Sequence, residues 1–105
     1  MKRPICITGS GIVSAIGLNK AETLDSLRNA RTGIGKLHFL QTVHDDLPTG
    51  EVKYSNEDLK RTLGISPNRL LSRTSMLGIL AVREALEEAG ITPSHEQRIG
   101  FISGT

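Results

Sequence analysis

The stretch ITGSGIVSAIG, from Ile7 to Gly17, sets a short apolar run directly ahead of three glycines, Gly9, Gly11 and Gly17. Two kinds of protein use such a segment. In one, a glycine loop cradles a phosphate with its backbone amides. In the other, the glycines only let a strand turn tightly into a helix. The residues between the glycines favour the turn. Ile12, Val13 and Ile16 are branched apolar side chains that seek burial, whereas a phosphate cradle needs exposed amides.

The nucleotide signatures also fail in detail. A dinucleotide fingerprint would run through Gly9 and Gly11 to Ser14, a near miss because serine is small. It also needs an acidic residue about 20 positions further on, at the end of the next strand. Asp25 falls inside an expected helix, and Asp45 and Asp46 fall in an expected loop. A P-loop is excluded more firmly, because Gly35-Lys36 is followed by Leu37 rather than Ser or Thr. The short-chain dehydrogenase pattern T-G-x-x-x-G-x-G fails as well, since Ile12 and Val13 occupy its loop.

Outward from this stretch, Ile5 to Ile7 follow Pro4 and read as a buried strand, which would bury Cys6. Asn19 to Gly35 read as a helix. Asn19 is the cap, Glu22 the capping-box partner, and Ala21, Leu24, Leu27 and Ala30 the buried face. Gly33 is the left-handed stop. Lys36 to Thr49 lack a period and read as an extended loop, with GEVKYS (residues 50–55) as a short strand. Ser55, Asp58 and Gly64 mark a short helix. Ser66-Pro67 opens a longer helical region ending at Gly90 and Pro93, with room for a break near Ser72. Ser75 to Val82 carry almost no charge, so that part needs cover on more than one side. Arg98 to Gly104 read as a last strand. The order strand, helix, strand, helix, strand is an α/β order with parallel pairing expected.

Bulk properties narrow the function. The 105 residues suffice for one small domain. A net charge of +2 gives no argument for nucleic acid, and three aromatics provide no base-stacking platform. No apolar run approaches membrane-spanning length, and MKRPICITGSG makes a poor signal peptide. The lone Cys6 rules out an intrachain disulfide. A soluble cytoplasmic protein is the expectation. His38, His44 and His95 are isolated in expected loops. Adjacent residues such as His44, Asp45 and Asp46 rarely converge on one ion, so no metal or cofactor is expected.

The segment ICITGSGIVSAIG resembles the N-terminal strand and turn of the β-ketoacyl-acyl-carrier-protein synthases, commonly V-T-G-x-G-x-V-[ST]-P-x-G. Thr8, Gly9, Gly11, Val13, Ser14 and Gly17 match, and Ala15 replaces the common proline. LRNARTGIG resembles the family's L-x-x-G-x-S-G-I, and GEVKYS its A-G-E-V strand. SRTSMLGILAVREALEEAGI resembles its D-R-x-x-x-x-x-x-A-x-x-E-A-L-x-x-A-G-I helix, with Ser72 in place of aspartate. RIGFISGT resembles the R-x-G-x-x-x-G strand that follows.

The resemblance implies a partial thiolase-like fold: the opening elements of the first of two related halves, with residues 1–105 an incomplete N-terminal part of the synthase domain. Members of this family hold an acyl chain on a cysteine and condense it with malonyl-carrier protein, losing carbon dioxide. Histidines assist decarboxylation, and backbone amides form an oxyanion hole. Those residues belong downstream of Thr105, so no catalytic residue is assigned here and the chain alone is expected to be inactive. Cys6 lies in an expected strand, unlike the family's nucleophile at the opening of a later helix. The implied partner is an acidic acyl carrier protein. Lys60, Arg61, Arg69 and Arg73 precede or open the matching helix, and Arg69 and Arg73 are the candidate contacts. Incomplete cover of Met76 to Val82 and open sheet edges point to self-association as a homo-oligomer. Two other readings stay open: a non-catalytic partner resembling a chain-length factor, and a nucleotide-binding oxidoreductase domain.

Overall fold

A computed structural model describes residues 2–104. Its elements are α1 (Lys20–Arg28), β1 (Ile34–Gly35), β2 (Thr49–Gly50), α2 (Asn56–Leu63) and α3 (Arg73–Ala89). This is a small α/β arrangement. β1 and β2 pair antiparallel, Ile34 opposite Gly50 and Gly35 opposite Thr49. The core lies between α2 and α3. Leu59 and Leu63 stand one turn apart on α2, and Met76 and Leu80 one turn apart on α3, so each pair shares a helix face. Leu59 and Met76 are 0% exposed. Val13, Leu18, Tyr54, Ile65, Leu71 and Leu77 pack around them.

Helix ends follow local chemistry. Ser55 and Asp58 form a reciprocal capping box at the start of α2. Ser72 caps α3 by accepting the Ser75 backbone N–H at 3.1 Å. Hence the expected break becomes the true start of α3, and Ser66-Pro67 lie outside it. Gly64 and Gly90 close α2 and α3 at φ of 70° and 67°. The bonds Ile65 N–H to Lys60 C=O and Ile91 N–H to Leu86 C=O complete both closures.

Several expectations are corrected. The left-handed residue after α1 is Ala30 at φ 52°, not Gly33. Arg31 N–H reaches the Ser26 carbonyl there, so the closing bond dictates the backbone despite the alanine side chain. Gly33 is instead buried against Ala15. The buried face of α1 is Thr23 and Ser26, while Leu24 and Leu27 are 48% and 64% exposed. Ser26 Oγ donates to the Ile16 carbonyl at 2.6 Å, which turns that polar face inward.

Residues 5–7 and 98–104 form no strand among the described residues, and Ile5, Cys6, Ile7 and Ile102 are exposed. Cys6 is therefore not buried: no ladder partner lies beside its segment to cover it. The parallel pairing expected from element order is absent among the described residues for the same reason. Ile12 stays partly exposed, while Val13 joins the core periphery. On α3, Ile79 and Val82 remain exposed, consistent with a helix apolar on several sides.

Candidate functional site

The glycine stretch lies directly on α3. A methyl group on Gly9 would overlap the Ala85 carbonyl, and one on Gly11 the Ala81 carbonyl. Only glycine permits this approach of two backbones. Two amides at the centre of the stretch are occupied by side chains of α3. Ser10 N–H donates to Glu88 Oε2 at 3.0 Å, and Ile12 N–H to Glu84 Oε2 at 3.0 Å. Glu84 Oε1 also accepts the Lys20 backbone N–H at 2.8 Å, in the first turn of α1. Lys20 Nζ pairs with Glu88. Two of the donors that a phosphate would need, the Ser10 and Ile12 amides, thus bind carboxylates of the chain's own α3. Glu84 and Glu88 are one turn apart, which aims both at the same stretch. Their spacing was visible in the sequence, but their target was not.

The basic candidates divide. Arg69 is exposed, and its guanidinium has no hydrogen bond or ion pair among the described residues. Lys60 Nζ donates to the Pro67 carbonyl at 3.0 Å, and Arg61 pairs with Asp58 at 3.2 Å. Lys60 and Arg61, with Glu57, Gly64, Ile65 and Pro67, line a cleft of about 580 Å³ beside the end of α2. Arg73 is committed to its own chain. Its guanidinium donates to the Val52 carbonyl at 2.8 Å and to Asn56 Oδ1 at 3.0 Å, and lies 5.3 Å from the Phe39 ring centre. It remains half-buried at the first position of α3.

Arg83 was not singled out by sequence. It donates to the Thr62 and Leu63 carbonyls at 3.3 and 3.1 Å, neutralising the end of α2. Glu51 was also missed. It is 8% exposed, and its carboxylate accepts the consecutive amides of His38, Phe39 and Leu40 at 2.8 to 3.2 Å. Burial raises the Glu51 carboxyl, but the three amides and the Arg73 charge outweigh it and hold it below its ordinary value. Asp58 is lowered too, chiefly by the Ser55 hydroxyl and amide, against a smaller opposing effect of burial. His38, His44 and His95 lie exposed in irregular segments.

No helix among the described residues is long and apolar enough to cross a membrane. The family model for the β-ketoacyl synthase N-terminal domain matches residues 2–105. The chain is 38% identical to 3-oxoacyl-[acyl-carrier-protein] synthase 1 of Escherichia coli K12, over all of this chain and 26% of that protein. It is 33% identical to the enzyme of the same name from Buchnera aphidicola subsp. Schizaphis graminum, again over 100% of this chain and 26% of the relative. The Haemophilus influenzae counterpart is 32% identical, over 99% of this chain and 25% of its own length. The chain therefore spans about a quarter of the length of these relatives. No solved structure matches at a significant level. By the match over residues 2–105, the chain belongs to the β-ketoacyl synthase family, in its N-terminal domain.

Proposed function

We propose that this chain is the N-terminal part of a 3-oxoacyl-[acyl-carrier-protein] synthase. The intact enzyme would join an acyl thioester to malonyl-carrier protein with loss of carbon dioxide, in fatty-acid or polyketide synthesis. The supporting observation is the ordered match to synthases across the whole chain. In this reading the nucleophilic cysteine and the decarboxylating histidines come from the part of the domain beyond these residues. Cys6 is exposed in an extended segment rather than at a helix start, so it lacks the setting that activates a thiol. The role of this segment is to build the opening of the fold, with the glycine stretch fixed on α3.

The carrier-protein surface is proposed at Arg69 and Arg73. Arg69 has the free guanidinium that an acidic partner requires. Arg73 presents a half-exposed edge of a group already fixed in place. In the complete synthase carrying this segment, Arg69→Glu and Arg73→Glu should each weaken carrier-protein binding, most clearly at low salt. Unchanged affinity for both would remove this surface from the proposal. Condensation of acyl and malonyl carrier protein by the complete synthase tests the activity itself.

A further inference from the structure

Residues 36–48 run from β1 to β2 with almost every side chain exposed. Within this segment, the bonds beyond residue 40 are short-range. His44 N–H donates to Thr42 Oγ1, and Leu47 N–H to the His44 carbonyl. Neither ties the segment to the rest of the molecule. The attachment is at its start, where His38, Phe39 and Leu40 aim three successive amides at one carboxylate. Three converging amides form an anion-binding concavity, here filled by Glu51, the residue after β2. Phe39 also receives the Arg73 guanidinium over its ring.

We propose that residues 36–48 form a strap latched to the body by the Glu51 carboxylate, hinged on the β1–β2 pair, and released when that carboxylate is neutralised. The geometry makes the latch all-or-none. A single group holds three donors, so its loss orphans all of them together. The charge that acts on it is that of Arg73 on α3; His38 reaches it from the strap through its backbone amide, and Lys53 stands two residues further along the chain. The Lys53 ammonium is turned to the Gly33 carbonyl at 2.9 Å, and Arg73 is fixed by Val52 and Asn56. Both therefore stay in place when the strap opens. Arg73 then loses its Phe39 cover, so latch opening would uncover one face of that guanidinium. This last consequence bears on carrier-protein contact only if the proposed function holds; the latch itself does not depend on it.

Amide hydrogen exchange in the protein tests the latch. Glu51→Gln keeps the shape but removes the charge. Its His38, Phe39 and Leu40 amides should exchange roughly tenfold to a hundredfold faster, as expected for losing charge-assisted bonds. Amides in the middle of α2 and α3 should change by less than about twofold, as expected for local rather than global opening. If the helices accelerate as much as the strap, Glu51 holds the whole fold and the proposal fails. If the strap amides do not accelerate, the latch does not exist. Should Glu51→Gln not fold, the wild-type protein is titrated instead. Strap protection should be flat near neutrality and fall in acid before helix protection does; a simultaneous fall would overturn the proposal. Carrier-protein affinity, measured separately, reports on the proposed function and not on the latch.

Discussion

The Glu84 carboxylate on α3 accepts the Ile12 backbone N–H at 3.0 Å and, through its other oxygen, the Lys20 backbone N–H at 2.8 Å. One side chain thereby joins the glycine stretch, the start of α1 and the long helix. The position has a physical logic. The first-turn amides of α1 carry the positive end of its dipole, and Glu84 supplies a negative charge to them.

Glu84→Ala should therefore destabilise the fold by about 1–2 kcal/mol, the cost of orphaning a part-buried donor at Lys20 and losing an exposed bond to Ile12. Urea unfolding followed by circular dichroism measures it. Glu84→Gln should cost less, since an amide oxygen still accepts one bond. Equal stability of wild type and Glu84→Ala would mean that water replaces the carboxylate without loss.

Backbone closeness predicts an asymmetry among glycine and alanine exchanges. Gly11→Ala should be strongly destabilising, because the new methyl meets the Ala81 carbonyl of α3. Ala30→Gly should stabilise by about 1 kcal/mol, because Ala30 holds a left-handed φ of 52° that costs an L residue about that much. Thermal melts of the two variants should shift in opposite directions.

Core truncation follows from burial. Leu59→Ala removes a side chain that is 0% exposed between α2 and α3. A loss of about 2–5 kcal/mol is expected. Leu70→Ala, at an exposed site, should change little, and the pair of variants in one denaturation series checks both.

Acid should loosen the chain in a defined order of cause. Glu51 and Asp58 both have folded values below their ordinary 4.5 and 3.8. A depressed carboxyl contributes stability that is fully present above its unfolded value and is lost as pH falls through the folded value. Stability should thus be insensitive to these two groups near neutrality and decline once pH drops below about 4.5. Denaturation midpoints across that range measure the decline. In Glu51→Gln the Glu51 share of the slope should vanish.

Exposed apolar side chains carry a further expectation. Ile5, Ile7, Phe101 and Ile102 stand in extended segments with no ladder partner among the described residues. Such groups favour association. Light scattering on the isolated chain should show species larger than a monomer at micromolar concentration, and a strictly monomeric chain would contradict this.

Local chemistry was the most legible part of the sequence. Ser55, Asp58, Gly64 and Gly90 act within a few residues of themselves, and each does in the structure what its type and spacing imply. The irregular segment after β1 was visible as a stretch without period from Lys36 to Thr49, although Thr49 already belongs to β2. Long-range partners were not legible. Nothing near Glu84 in the chain points to Ile12, 72 positions away, or near Arg73 to Val52, 21 positions away. The α1 face was misread because Leu24 and Leu27 look like core, whereas the bond from Ser26 to Ile16 decides which side turns inward. The segments at 5–7 and 98–104 have strand composition, but a strand exists only with a partner beside it. At the basic surface, the family resemblance marked Arg69 and Arg73 alike. Only the fold separates a free guanidinium from one bound to Val52, Asn56 and Phe39.

The most direct measurement of the central claim uses the complete synthase carrying this segment, supplied with acyl-carrier protein and malonyl-carrier protein and no nucleotide. Mass spectrometry of the carrier protein should reveal a 3-oxoacyl chain two carbons longer than the starting acyl group, formed with release of carbon dioxide. Carrier proteins left unchanged, together with a raised melting temperature on adding NAD or NADP, would contradict the account and return the glycine stretch to a nucleotide-binding role.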